Sequence, residues 1–241
     1  MQITDRTSSQ SVLSKLQRPD VLKPLIKFST FSLIYSMCGT YCVLTYMIQI
    51  FDGSIYGVAP AANATLPAEP ANPYLYNLVS GVFMVISAIS AAFAMPYIGL
   101  RWTLVISMLG TLVAMVSLTY TAIAAGGYLF SLRIVAVWIN AFFFGLASKT
   151  PYSAAGDALP SDAKGFTCII LLVGNISSAI VRKIFPYLCV AIGAYTYCIF
   201  SVMSVLCALH AYFCLTEVVG KTLDEINREY LTGATEKCPQ D

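Results

Sequence analysis

The chain has 241 residues, 58% of them apolar and only 11% charged, with a mean hydropathy of +0.74. A soluble domain carries roughly 25% charged residues to face water, so a soluble globule is excluded, and a net charge of +2 without a basic stripe excludes a nucleic-acid partner. The lipid bilayer is then the expected solvent, and at about 20 residues per spanning helix the length suits six spans.

Residues 1–27 read as a polar segment holding Arg6, Lys15, Arg18, Lys23 and Lys27. Polar QITDRTSSQS follows Met1, so no signal peptide is expected. The first apolar run covers about 28–51. The Pro-rich stretch 52–74 cannot span and reads as a loop. The second run, about 75–95, ends at Pro96 and the short turn YIGLR. The third, 102–125, ends at Gly126-Gly127, and the fourth, 128–155, carries Arg133, Asn140 and Lys149. DALPSDAKG separates it from the fifth, 166–181, and the sixth covers 192–215 before a charged tail at 217–241. Only helices suit such runs in lipid, since backbone polar groups must be satisfied within each segment. The expectation is an all-α, polytopic six-helix bundle over 28–216.

Lys and Arg set the orientation. With the amino terminus cytoplasmic, that face collects the five early basic residues with Arg101, Lys164, Lys221, Arg228 and Lys237, leaving only Arg182 and Lys183 opposite. The 52–74 loop holds the sequon Asn63-Ala64-Thr65, a glycosylation acceptor on an exoplasmic face. Both termini are therefore expected to be cytoplasmic.

Ionisable groups at membrane depth default to functional candidates. Arg133, near a span end, has room to snorkel. Lys149 sits in FFFGLASKTPYSAAGD, where Pro151 and Gly156 loosen the helix, and reads either as a cavity-lining or gating group or as a structurally paired one. Tyr35, Gly39, Cys42 and Tyr46 form one stripe that suits a pathway or a helix–helix interface. Asn140 and Asn175 read as interhelical hydrogen-bonding groups. The eight cysteines contain no CxxC pair and His210 stands alone, so no metal or cofactor is expected. No paired carboxylate, HExxH or nucleophile elbow suggests an enzyme.

Three stretches carry a resemblance. Pro151-Tyr152-Ser153-Ala154-Ala155-Gly156-Asp157-Ala158-Leu159-Pro160-Ser161-Asp162-Ala163-Lys164-Gly165 is similar to a PW…GE-I-L-P…RG motif. Thr216-Glu217-Val218-Val219-Gly220-Lys221-Thr222-Leu223-Asp224-Glu225-Ile226 is similar to PETKGKTLEEI, and Gly99-Leu100-Arg101 stands where GRR is usual. On these the chain resembles the carboxyl-terminal half, helices seven to twelve, of a sugar porter of the major facilitator superfamily, and within it the facilitated trehalose transporter-like proteins.

The resemblance implies facilitated carbohydrate transport by alternating access at the plasma membrane, with a sugar as the small-molecule substrate and a second six-helix bundle as partner. It implies a gating network of Asp157, Arg101, Lys164 and Glu217, with Lys149 nearby. The family's substrate positions fall on Tyr35, Ser36, Tyr41, Tyr152 and Asn175. Several depart from the family: its paired glutamines are Tyr35 and Ser36, an asparagine is Met84, the tryptophans are Tyr152 and Ile176, and an acid before the GRR turn is Pro96. These departures equally suit a diverged, non-transporting membrane protein, or a fragment that associates with another carrier half.

Overall fold

A computed structural model describes residues 16–52, 55, 73–124, 129–222, 225, 226 and 228. The described elements are α1 (Pro19–Met37), α2 (Thr40–Thr45), α3 (Met47–Asp52), α4 (Pro73–Ile98), α5 (Leu100–Ile123), α6 (Leu129–Ser148), α7 (Thr150–Ala158), a 3-10 turn (Lys164–Phe166), α8 (Thr167–Ile192) and α9 (Tyr195–Cys214). Five stretches are helical, long and apolar enough to cross a membrane: Tyr74–Ile98, Leu100–Ile123, Phe130–Ala158, Lys164–Ile192 and Tyr195–Cys214.

The first expected span departs from a single helix. It lies in α1, α2 and α3, because Gly39 takes a left-handed φ of +73° that interrupts the α-helical path. A Cβ at Gly39 would sit 2.1 Å from the Phe200 ring on α9, so the break is also a point of close packing. The Tyr35–Tyr46 stripe is consequently cut in the middle. The fourth expected span is interrupted too: Lys149 separates α6 from α7, and Pro151 lacks the N–H that would continue the ladder. Thr150 Oγ1 donates to the Leu146 carbonyl at 2.7 Å across this break.

The fifth span is longer than expected. α8 continues past 181 to Ile192, where Gly193 turns the chain into α9, so Arg182 and Lys183 lie within a helix and not in a loop. Pro186 inside α8 cannot donate to the residue four before it, Arg182. The Tyr46 hydroxyl supplies the missing donor to the Arg182 carbonyl at 3.1 Å. Pro96 likewise falls inside α4, which ends two residues later.

α5 packs between α6 and α9, α4 lies on α6, and α1 packs along α8 with α9 behind it. Serine hydroxyls stitch the first of these layers: Ser87 on α4 donates to the Phe142 carbonyl, and Ser107 on α5 to the Phe143 carbonyl. One core cluster, around Phe28, Leu104, Phe144 and Leu215, fills the end of the bundle near the start of α1. Another, around Met47, Met115, Phe185 and Tyr197, fills the opposite end. α4 and α8 turn large apolar side chains such as Leu78, Val85, Phe93, Ile176 and Ile180 outward, as suits lipid or a second bundle.

Candidate functional site

The break at Gly39 swings Tyr41 onto Phe144 of α6, ring edge to face at 4.8 Å between centroids. Tyr35, one turn before the break, stacks on Phe31 and Phe144 and donates its hydroxyl to the Phe144 carbonyl at 3.4 Å. Ser36 donates to the carbonyls of Ser32 and of Gly174 on α8. Gly174 makes that approach possible: a Cβ there would overlap Ser32 Oγ and lie 2.8 Å from the Tyr152 hydroxyl. Tyr152 itself shares a 3.2 Å hydrogen bond with Ser32.

Four of the expected substrate residues thus converge where α1, α2, α6, α7 and α8 meet. Their situations differ. Tyr35 and Ser36 are buried and their hydroxyls are bonded within the bundle, whereas Tyr41 and Tyr152 are half-buried and keep free surface. Asn175 is exposed, because Gly174 takes the inward position and the next residue turns about 100° away. Contrary to expectation, it makes no interhelical hydrogen bond among the described residues. Asn140 makes none either: it is fully buried on α6 with both amide atoms unpartnered.

Two guanidiniums at membrane depth behave differently. Arg133, expected to snorkel, instead donates to the Ile50 and Thr121 carbonyls at 3.1 and 2.9 Å, binding together the last turns of α3 and α5. Cations are favoured at such helix ends. Arg182 was expected only as a loop charge. Its Nε donates to the Ser178 carbonyl one turn back at 3.2 Å, and its guanidinium carbon lies 5.7 Å from the Tyr41 ring centroid. A charge at that depth costs roughly 2.5–3.5 kcal/mol on insertion scales, which marks it as a candidate that the expected helix boundary conceals.

At the end of the bundle shared by Arg18 and Glu217, the expected gating residues fall into two groups. Glu217 accepts from the backbone N–H of Leu100 at 2.7 Å and of Arg101 at 3.1 Å. Arg101 Nε donates to the Leu215 carbonyl, just after α9. The two are brought together by exchanging helix caps rather than by a side-chain ion pair. Gly99, with φ +86°, leaves room for the Glu217 carboxylate, which would lie 2.8 Å from a Cβ there. Lys149, Asp157 and Lys164 are exposed and form no ion pair among the described residues. Asp157 lines a cavity of about 380 Å³ with Pro96, Ser153 and Lys221.

Two ion pairs form here among the described residues, one between chain neighbours and one to a separate element that the sequence does not bring together. Arg18 forks onto Asp20 at 2.7 Å and reaches Asp162, after α7, at 3.1 Å. Hydrogen bonding to Asp20, then its charge, raises the Arg18 guanidinium above its ordinary value. After α9, Thr222 and Glu225 exchange backbone and side-chain hydrogen bonds in a capping box, and the Thr222 N–H holds the Glu225 carboxyl below its usual value. The sequon at Asn63 lies outside the described residues, and no group of three metal-ligating side chains occurs among those described.

Comparison with known proteins agrees with this architecture. Residues 4–230 match the family model described as "Sugar (and other) transporter". The chain is 25% identical over 240 residues to the facilitated trehalose transporter Tret1 of Aedes aegypti, covering 95% of this chain and 28% of that protein. It is 26% identical over 203 residues to a probable metabolite transport protein of Bacillus subtilis, covering 78% of this chain and 39% of the relative. It is 23% identical over 224 residues to the human solute carrier family 2 facilitated glucose transporter member 9, covering 91% and 39%. The chain therefore spans between about a quarter and two-fifths of the length of these curated relatives. Matched over nearly all its length and built as an all-helical membrane bundle, it belongs to the sugar transporter family.

Proposed function

We propose that this chain is one helical half of a facilitated carbohydrate carrier, working by alternating access with a second bundle at the plasma membrane, with both termini cytoplasmic. The observation that carries the reading is the group of polar side chains Tyr41 and Tyr152, half-buried beside the Gly39 break, with Asn175 exposed next to Gly174. A broken helix beside a midplane polar site is where carriers of this general design hold their solutes. Sugar-porter relatives support the solute class, and the chain's share of their length supports a partner bundle. Asp157, Lys164, Lys149, Arg101 and Glu217 are assigned to the gate at the cytoplasmic end.

The rival reading is a non-transporting membrane protein, and one observation favours it: Tyr35 and Ser36 spend their hydroxyls on helix packing. Uptake of labelled trehalose and glucose into vesicles, with the chain inserted alone and beside a complementary amino-terminal bundle, separates the two. Carrier activity is expected to fall by about tenfold in Tyr152→Phe and Asn175→Ala, the loss of one hydrogen bond to a solute in each case. Uptake equal to that of empty vesicles in both arrangements overturns the carrier reading.

The orientation has its own test. Expressed in animal cells, the chain is expected to carry an endoglycosidase-sensitive glycan that disappears in Asn63→Gln. An unglycosylated wild-type band, with Asn63 inaccessible from outside the cell, places that loop in the cytosol and reverses the topology.

A further inference from the structure

We propose that Arg182 makes this site one for a carboxylate-bearing solute, a sugar acid rather than a neutral sugar. The inference rests on the carrier reading and narrows its substrate class. Arg182 stands fifteen residues after the start of α8 and ten before its end, so about 22 and 15 Å from the two helix ends. Neither end of the span lets its guanidinium reach water by snorkelling in the usual way.

No acid pairs with it among the described residues. The helices packed against α8 carry acids only at their far ends, Asp20 in the first turn of α1 and Asp157 next to the last residue of α7, and residues 21–51, 70–156 and 163–216 contain no Asp or Glu. Its Nε is held by the Ser178 carbonyl and its guanidinium faces the Tyr41 ring, while its Nη groups make no hydrogen bond among the described residues. They are not among the sealed, unpartnered atoms, so they remain accessible. Arg133 shows the contrast: both its Nη groups are taken up by helix-end carbonyls.

The surroundings complete a ligand site. Tyr41, backed by Phe144, supplies an aromatic wall. The hydroxyls of Thr40 and Ser178, one residue before Tyr41 and one turn before Arg182, are sealed from solvent, so the open donors here are those of Arg182. These groups offer donors and almost no strong acceptors. A neutral sugar presents hydroxyl donors that call for carboxylate or amide acceptors, and Asn175 is the sole side-chain amide of α8. A carboxylate, which only accepts, matches the free edge of the guanidinium fork, and the sugar ring that carries it then lies beside Tyr41.

Equilibrium binding of labelled glucuronate and of labelled glucose to the full chain in lipid nanodiscs tests this, since the two rings differ chiefly in the carboxylate. Glucuronate is expected to bind at least about tenfold more tightly, the usual difference that a charge-assisted pair makes. Arg182→Gln should bring it to the level of glucose, and Arg182→Lys should restore only part of the difference. Equal binding of the two solutes, no glucuronate binding, or undiminished glucuronate binding by a folded Arg182→Gln overturns the proposal. If Arg182→Gln fails to fold, the wild-type comparison decides alone. Binding at equilibrium needs no transport cycle, so a failed uptake experiment leaves this measurement standing. Glucose uptake unaffected by Arg182→Gln, with no glucuronate binding, would sink this proposal and spare the carrier.

Discussion

Gly39→Ala is expected to destabilise the bundle by about 2–5 kcal/mol, a large fraction of the whole stability of an ordinary fold. Two costs combine. An alanine held at φ +73° bears a left-handed penalty of roughly 1–2 kcal/mol. Its Cβ would also be driven to 2.1 Å from Phe200, whose ring is buried and stacked on Phe185, so overpacking adds about 1–3 kcal/mol. Thermal unfolding in detergent, together with the yield of monodisperse protein, measures the loss. Because the two costs have separate origins, Gly39→Ala combined with Phe200→Leu should recover part of the steric cost and none of the backbone cost. The double variant is therefore expected to fall short of additivity by about 1 kcal/mol or more. Gly39→Ala as stable as wild type would mean that α1 and α2 run on as one helix, and that the Tyr41–Phe144–Arg182 arrangement does not depend on the break.

That break separates what the sequence conveys from what it withholds. Composition and apolar run length are enough to reach an all-helical membrane bundle, because lipid leaves the backbone few options. They convey nothing about helix interruptions, since the run around Gly39 is as apolar as an unbroken one. Only its contact with Phe200, far along the chain, shows why the glycine is needed. The end of α8 is the opposite case, a helix longer than its expected bounds. The charged pair Arg182-Lys183 follows the expected end at 181, yet α8 runs on through Pro186 to Ile192, with Tyr46 supplying a donor to the carbonyl that the proline leaves bare. The misplaced boundary hides Arg182, which then counts as a loop charge. Within the site, Tyr152 and Tyr41 are legible from the resemblance. Which hydroxyls are spent on packing is not, because Tyr35 and Ser36 find their acceptors on α6 and α8, more than a hundred residues away.

Glu217→Ala is expected to cost about 2–4 kcal/mol, the second large effect. α5 starts without a side-chain cap from its own chain neighbour, Gly99, so its first amides depend on a partner from elsewhere. Glu217 supplies the cap from 116 residues away, with its carboxylate at the positive end of the helix. In return Arg101, in the first turn of α5, donates to the Leu215 carbonyl that follows α9. Each helix end thus receives the charge that suits its dipole, and each charge-assisted bond contributes roughly 1.5–3 kcal/mol before its half-exposure is discounted. Glu217→Gln keeps an acceptor and loses the charge, so it should lie about midway between wild type and Glu217→Ala. Gly99→Ala should resemble Glu217→Ala, because its Cβ would displace the carboxylate from the other side. Lys164→Ala, at an exposed residue on the same end, is the control and should change stability by less than about 0.5 kcal/mol. The measurement is the unfolding midpoint of each variant in the same detergent. Glu217→Ala no less stable than Lys164→Ala would show that α5 needs no cap from the segment after α9. With the expected order, the two family-like stretches at this end act first as mutual helix caps, and any gating role they have works by breaking and remaking those caps.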